Sequence, residues 1–202
     1  MHGQSDKRSS NYSEARQKII DRALDLFYRQ GYLATGINQI IAEAGVSKNT
    51  FYYYFPSKED LCLAYLHERH KLWMSWLNEK IDSYGSPFER LMGVFDFLKS
   101  WLEKCDFRGC AFLNISSEVP DINHIIRQEV IIHKNELRNV LKSLVEALRT
   151  SEIKYAGINA GFLADALYII FEGLISACQN YGDSSIIDSG RRNFLQLLEK
   201  AE

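Results

Sequence analysis

Hydrophobic residues recur at helical spacing along most of the chain and predict about nine helices. In the first helix, Ile19, Ile20 and Phe27 share one face. Ser13 is the expected N-cap of this helix, and Gly31 is the expected stop at its C-terminus. Only three prolines occur, each between long periodic segments, so long helices are favoured over strands. The pattern predicts an all-α fold.

Short capping signals mark the ends of the next helices. The segment INQIIAEA ends at Gly45, and Ser47 is the N-cap of a third helix that stops before Pro56. Ser57 followed by Asp60 is an aspartate version of the capping box and begins a long fourth helix. Three N-terminal helices with a tight turn between the second and third have the layout of a helix-turn-helix.

Five further helices complete the predicted fold. Ser86 and Pro87 supply the N-cap and first residue of the fifth, residues 109–119 form a short sixth, and the seventh follows Asp121. The eighth, INAGFLADALYIIFEGLISACQNY, is apolar nearly all the way round. Such a helix is expected to be buried on every side, which a helical protein of this size achieves most readily by packing on a second copy.

The last two helices together predict a homodimer with a four-helix interface. The ninth helix carries an apolar stripe of Ile187, Phe194 and Leu198, which could share the contact made by the eighth helix. On this interpretation a charge placed at Phe171 or Leu174 should give monomers or insoluble protein, because an uncompensated buried charge costs several kcal/mol.

The third predicted helix contains five consecutive aromatic residues, FYYYF, which cannot all face one core. Phe51 and Phe55 are one helical turn apart and can point inward. The opposite face then presents Lys48, Asn49, Tyr52 and Tyr53. Tyrosine rings with polar tips, beside a lysine and an amide, suit the major groove of DNA. A surface for a partner protein, or a helix covered by another part of the chain, remains an alternative.

The charge distribution allows an anionic partner at the N-terminal end. Residues 1–58 contain eight Lys and Arg against five Asp and Glu, a balance of +3, and the remaining residues have a balance of 16 − 21 = −5. The whole chain has a formal net charge of −2, which argues against a generally basic nucleic-acid coat.

The segment ARQKIIDRALDLFYRQGYLATGINQIIAEAGVSKNTFYYYFPSKEDLCLAYL, residues 15–66, resembles the N-terminal domain of the tetracycline-repressor (TetR) family of bacterial transcription regulators. The resemblance rests on three motifs in order: ALxLFxxxGY in the first helix, IxxxAGVS at the turn, and FYxYFxxKxxL in the third helix and beyond. It covers roughly a quarter of the chain. The rest of the chain is similar to the family only in length and helical pattern.

This resemblance implies a ligand-responsive DNA-binding regulator, expected to be a repressor that binds a palindromic operator as a homodimer. Residues 13–60 would form the DNA-binding domain, with the helix-turn-helix in 37–55, and residues 61–202 would bind the effector and dimerise. Positions that family members use for bases or phosphates are occupied here by Asn38, Lys48, Asn49, Thr50, Tyr52, Tyr53, Tyr54 and Lys58.

A small-molecule effector is the second expected partner. If helices four to seven pack as in the family, a mostly apolar cavity with a few polar groups would be lined by Trp73, Trp76, Trp101, Phe112, Asn114, Glu118 and His133. His133 interrupts an apolar stripe, and both a buried core histidine and an effector-binding residue stay open. Glu172, a carboxylate within an apolar helix, is explained equally well by structural pairing or by ligand binding.

No catalytic, metal or cofactor site is predicted. The sequence lacks a nucleophile elbow, a Gly-rich phosphate loop, HExxH and paired carboxylates with a basic partner. His67 and His70 are one helical turn apart without supporting ligands, so a solvated or packed pair is favoured over a metal site. The four cysteines lack CxxC spacing and are expected to be buried thiols, with a redox pair of Cys105 and Cys110 as the open alternative.

The N-terminus has no apolar signal region, and no stretch reaches the ~18 uncharged apolar residues that a membrane span requires. A cytoplasmic protein is therefore expected. Two alternatives to a ligand-responsive regulator remain: a DNA-binding protein without a ligand, and an all-α small-molecule carrier or enzyme without DNA binding.

Overall fold

The computed structural model describes residues 3–200, with side chains from residue 14 onward. The regular structure of these residues is helical throughout, without a strand, which confirms the all-α prediction. The helices in chain order are α1 Gly3–Gln30, α2 Ile37–Ala44, α3 Lys48–Tyr54, α4 Lys58–Asp82, α5 Pro87–Lys104, α6 Ala111–Glu118, α7 Ile125–Ser151, a 3-10 turn Ile153–Tyr155, α8 Ala160–Tyr181 and α9 Ile186–Glu199.

The predicted caps are present at the short helices. Gly45 ends α2 in the left-handed region, with φ of 64°, and the Ser47 hydroxyl accepts a hydrogen bond of 3.0 Å from the amide of Thr50. At the start of α4, the amide of Asp60 donates to the Ser57 hydroxyl, and the Asp60 carboxylate accepts from the Ser57 amide. These local bonds fix the turn between α2 and α3 and the start of α4.

The first helix is longer than predicted. α1 begins at Gly3, so Ser13 lies inside it and the prediction of an N-cap at Ser13 is wrong. The side chain of Ser13 lies outside the described part of the chain. The segment before Ile19 is polar and has no apolar stripe, so periodicity alone did not extend the helix that far.

The chain forms two compact units. The first contains the chain up to His70 together with Ala111–Val130, and the second contains Lys71–Cys110 and the chain from Ile131 onward. In the first unit α1 packs on α2 and α3 around a small core that includes Ile20, Ile40 and Phe51, all fully buried. In the second unit α5, α8 and α9 pack together around buried aromatic side chains.

Helix α8 is exposed along one face of the single subunit, so the expectation that a second copy completes its burial stays a prediction. Phe162 and Ile169 are exposed, at 58% and 69% of their maximum, and Gly173 continues the same face four residues later. The opposite face is core. Phe171 and Leu174 lie inside the subunit, so a charge at either position would disrupt the core instead of testing a subunit interface.

The predicted interface stripe on the ninth helix is also part of the subunit core. Ile187, Phe194 and Leu198 are all buried within the subunit, and the rings of Phe95 and Phe194 lie 6.1 Å apart. Periodicity predicted burial of these residues correctly, but it could not tell which molecule buries them.

By length and composition alone, α8 is the one helix among the described residues that could cross a membrane. Its mean hydropathy is 1.6 over the most apolar window. It nevertheless carries Asp165 and Glu172, and its apolar buried face packs on α5 and α9. A core helix of a helical domain has the same composition.

Glu172 is held by an ion pair whose side chains, Lys134 and Glu172, are only 12% and 19% exposed. The Lys134 ammonium donates to both carboxylate oxygens, at 2.7 and 2.9 Å, and contacts the Cys110 sulfur at 3.6 Å. Burial lowers the pKa of Lys134, but Cys110 and Glu172 outweigh this effect and the pKa lies above its ordinary value. Structural pairing therefore accounts for the carboxylate in this apolar helix.

Breaking the pair should be costly, because removal of one partner leaves a buried charge uncompensated. We expect Lys134→Met to lower the free energy of unfolding by about 3 kcal/mol. The double variant Lys134→Met, Glu172→Met should recover most of this loss. Urea denaturation at one fixed protein concentration would measure both, and equal losses in the single and double variants would contradict the assignment.

Candidate functional site

The helix-turn-helix presents one polar face. α2 and α3 are joined by the turn at Gly45, and Phe51 and Phe55 face the core as predicted, both nearly inaccessible to solvent. The predicted DNA-binding residues that are solvent-exposed are Asn38 on α2 and, on the side of α3 opposite these two phenylalanines, Lys48, Asn49, Tyr52 and Tyr53. Tyr53 is the most open of the aromatic run, at 72% exposure. The exposed side of α3 therefore offers ring faces, an amide and a cation.

The other three predicted DNA-binding residues are half-buried and make contacts within the first unit. The Thr50 hydroxyl lies 2.8 Å from the Ser47 hydroxyl at the cap of α3. The Tyr54 ring contacts that of Tyr53 edge-on. The Lys58 ammonium donates to the Leu33 carbonyl at 3.2 Å. These three residues therefore help to shape the face.

The two lysines of this region differ in environment. Lys48 is exposed, with its ammonium 6.0 Å from the centre of the Tyr52 ring. Lys58 lies over the Tyr32 ring at 4.6 Å, and burial lowers the pKa of Lys58, although Cys62 and Glu118 offset part of this effect. Lys48 is thus the cation of the face that solvent, or a phosphate, reaches most easily.

Glu118, at the end of α6, forms hydrogen bonds with the loop between α1 and α2. Its carboxylate accepts hydrogen bonds from the amides of Tyr32, at 3.0 Å, and Leu33, at 2.6 Å. Gly31 has φ of +96°, which favours glycine. A Cβ at this position would also lie 3.1 Å from a Glu118 oxygen, so the carboxylate would have to shift slightly. The carboxylate predicted as an effector group is instead occupied by backbone amides of the first unit.

Replacing Glu118 should loosen this loop. Glu118→Ala removes a charged acceptor from two amides, and we expect a loss of about 2 kcal/mol in the free energy of unfolding. Glu118→Gln keeps one oxygen acceptor and should lose less. Hydrogen exchange at the amides of Tyr32 and Leu33 would report the effect locally, and unchanged protection in Glu118→Ala would contradict it.

Three of the predicted effector residues lie together in the second unit. Trp73 is buried and contacts Trp101 and His133 edge-on, with ring centres 5.4 and 5.2 Å apart. Trp73 also contacts Phe97 at 5.1 Å. Within the described part of the chain, the buried Nε1 of Trp73 has no hydrogen-bond partner. An unsatisfied buried donor is costly unless a ligand or water completes it.

The remaining effector candidates lie elsewhere. Trp76 is half-buried and lies beside the Lys104 ammonium, at 4.8 Å. It lines an open groove between α4 and α5 that Trp101 also lines. Phe112 and Asn114 belong to the first unit. Phe112 is buried, and Asn114 borders a cavity of only about 10 Å³, large enough for one water molecule at most. Sequence reasoning did not select Lys80, Phe97 or Lys104, because lysines and a core phenylalanine carry no distinctive spacing.

The remaining side chains considered for metal or redox chemistry are His67, Cys105 and Cys110. His67 Nε2 lies 2.8 Å from a Glu129 oxygen. Among the residues described, no group of three potential metal ligands comes together. Cys105 and Cys110 are both free thiols, the first half-buried and the second buried.

Two family models match the chain. The model for bacterial regulatory proteins of the tetR family matches residues 19–65. The model for the tetracyclin repressor-like C-terminal domain matches residues 87–194, more than half of the chain.

Known proteins show the same relationship over most of their length. The HTH-type transcriptional regulator RutR of Escherichia coli O157:H7 is 29% identical over 183 residues, which cover 88% of this chain and 78% of RutR. The HTH-type transcriptional repressor DhaR of Mycobacterium sp. strain GP1 is 26% identical, over 79% of this chain and 80% of DhaR. The crystal structure of a TetR-family transcriptional regulator from Streptomyces coelicolor aligns with a TM-score of 0.82 at 25% identity, over 94% of this chain and 96% of that one. The chain therefore belongs to the tetR family of bacterial regulatory proteins, and it is a helix-turn-helix transcriptional regulator.

Proposed function

We propose that this regulator is a cytoplasmic repressor that binds a palindromic operator as a homodimer and leaves it when a small molecule binds. The observation that carries this proposal is the polar, aromatic face of α3 in a helix-turn-helix of this family. Similarity to DhaR, which is named a repressor, supports the direction of regulation. Residues 13–60 would bind DNA, and residues 61–202 would dimerise and bind the effector.

The exposed residues of α3 would read the operator. Tyr52 and Tyr53 offer ring faces to thymine methyl groups and hydroxyls to phosphates or base edges, and Asn49 offers an amide that can pair with adenine. Lys48 would bind a phosphate. Asn38, Thr50, Tyr54 and Lys58 would complete the surface, with Lys58 also holding the loop at Leu33.

The exposed stripe on α8 would form the dimer contact. Phe162, Ile169 and Gly173 follow helical spacing on a face that the subunit itself leaves open. A Cβ added at Gly173 would meet no atom of the subunit, so a second helix can approach closely there. Two subunits joined in this way would present two α3 helices to the two halves of a palindrome.

The effector would bind in the second unit at Trp101, which lines an open groove together with Trp76 and contacts the buried Trp73 behind it; Trp73 in turn contacts His133. The unpartnered Nε1 of Trp73 supports this location, because a ligand with an acceptor oxygen would satisfy it. A ligand with higher affinity for a subunit arrangement that does not fit the operator would release DNA by population shift.

Two alternative functions would differ from this one in the binding of DNA or of a small molecule. A regulator without an effector would bind operator DNA and respond to no small molecule. An all-α carrier or enzyme would bind a small molecule and show no preference for any DNA sequence, although membership of the family weighs against this.

An electrophoretic mobility shift with the DNA upstream of the protein's own gene tests the proposal. We expect a discrete complex that survives excess unrelated DNA and weakens steeply as salt rises. Equal affinity for the upstream DNA and for a scrambled duplex of the same length would refute sequence-specific regulation.

A further inference from the structure

An open groove of about 340 Å³ runs between α4 and α5 in the second unit. Its volume lies within the range of about 300–1,000 Å³ that is usual for small-ligand sites. The residues that line it are Trp76, Glu79, Lys80, Ser83, Phe97, Ser100, Trp101 and Lys104.

The floor and wall of this groove are aromatic. Phe97 and Trp101 are buried and nearly parallel, with ring centres 5.9 Å apart and planes 10° apart. Trp73 packs edge-on against both rings from within the core and holds them in place. Trp76 is half-buried and adds a third ring to the lining. Rigid, flat apolar surfaces of this kind favour a planar aromatic ring.

The charges at the groove favour an anion. Lys104 lies over the Trp76 ring at 4.8 Å and Lys80 over the Tyr84 ring at 5.4 Å, and neither ammonium has a carboxylate partner among the described residues. Glu79 also lines the groove, with its carboxylate accepting from the Ser75 hydroxyl at 2.8 Å. Two ammonium groups against one carboxylate leave a positive balance.

The hydroxyl groups of the lining donate within the protein, so the lysines are the cationic hydrogen-bond donors that the groove offers to a ligand. The Ser83 hydroxyl donates to the Lys80 carbonyl at 2.6 Å, and the Ser100 hydroxyl donates to the Phe97 carbonyl at 3.0 Å. A ligand that sits on the rings would therefore find ammonium donors at the edge, which a carboxylate satisfies best.

We infer that this groove binds a planar aromatic carboxylate, with the ring against Trp76 and Trp101 and the carboxylate against Lys80 and Lys104. The inference rests on the proposed function in one respect only: a ligand held here is expected to be the effector class that releases the operator. Binding itself can be measured without DNA.

Calorimetric titration with three ligands that share one ring tests the inference. 2-Naphthoate should bind with a dissociation constant below about 1 mM. 2-Naphthalenemethanol, its neutral analogue, should bind about fivefold more weakly, and 2-naphthylmethylammonium more weakly still, because the carboxylate interacts with partly exposed ammonium groups. Equal affinity for all three would overturn the inference, as would tightest binding of the cation.

Substitutions of groove residues would show whether naphthoate binds in the groove. Lys104→Gln should weaken naphthoate binding about threefold to fivefold while leaving the neutral analogue unchanged, and Trp76→Leu should weaken both about tenfold. Lys142→Gln, at an exposed lysine of α7 outside the groove, is the matched control and should change neither. Naphthoate affinity that is the same in Lys104→Gln and Lys142→Gln would overturn the inference, even if Trp76→Leu folds poorly.

The DNA experiment separates this inference from the proposed function. Naphthoate should dissociate the operator complex of the wild-type protein and have little effect on that of Trp76→Leu. Naphthoate that binds in the groove without weakening the complex would overturn the effector class. Failure of the ligand-free protein to form any operator complex would refute the proposed function, whereas the calorimetric result would still decide whether the groove binds aromatic acids.

Discussion

A double variant Tyr52→Ala, Tyr53→Ala is expected to bind the operator at least about 30-fold more weakly than the wild-type protein. Both tyrosines are exposed on α3, and each contact with a base edge contributes about 1–3 kcal/mol to recognition. Neither ring is part of the core, so the free energy of unfolding should change little. Fluorescence anisotropy with a labelled operator would measure the loss.

Tyr181→Ala is the matched control, because Tyr181 is 84% exposed at the end of α8 and lies outside the helix-turn-helix. It should leave operator affinity unchanged. A further variant, Tyr53→Phe, removes only the hydroxyl and would separate hydrogen bonding from ring contact. Unchanged affinity in the double alanine variant would show that the face of α3 does not read DNA.

Ile169→Glu is expected to separate the dimer and to reduce operator affinity by about a hundredfold or more. The residue is 69% exposed in the subunit, so glutamate there is compatible with folding. In the proposed dimer the same carboxylate would be buried without a partner, at a cost of several kcal/mol. Each monomer would bind one half-site only, so the increase in affinity that comes from simultaneous binding of two half-sites would be lost.

Sedimentation velocity at micromolar protein would measure the assembly state. Ile153→Glu is the control, because Ile153 is 96% exposed in the 3-10 turn and outside the α8 stripe. It should remain dimeric. A wild-type chain that sediments as a monomer would rule out the dimer model, and an Ile169→Glu protein that stays dimeric would move the interface away from the α8 stripe.

The helix-turn-helix could be predicted from the sequence because its signals are local. Gly45, Ser47, Ser57 and Asp60 act within one helical turn of their own positions, and each cap appears where expected. Contacts between distant positions leave no such signal. The bonds from the amides of Tyr32 and Leu33 to a carboxylate some 85 residues away could not be read from spacing.

The sequence of helix α8 did not show which of its apolar residues are buried within the subunit. Its composition indicated burial, but periodicity cannot distinguish the core of one subunit from a contact between two. In the structure, Phe171 and Leu174 lie in the core of the subunit, whereas Phe162 and Ile169 lie on its open face. The same limit applies to α9, where the predicted interface stripe is subunit core.

Aromatic and polar side chains of helices four to seven are predicted to line one effector cavity, but the structure places them in two different units. Trp73, Trp101 and His133 meet because α4, α5 and α7 each supply one ring to the second unit. Phe112 and Asn114 belong to the first unit. Residue type indicates what a side chain can bind, but only tertiary packing decides which side chains share a site.

A dimer of this regulator is proposed to read a palindromic operator through two α3 helices. Hydroxyl-radical footprinting of the upstream DNA, combined with sedimentation of the same complex, would test this proposal. We predict symmetric protection of two half-sites whose centres are about one helical turn, or a small multiple of it, apart, with an even number of protomers on each duplex. Protection spread evenly along the DNA, or a single protomer on one unpaired site, would contradict the claim.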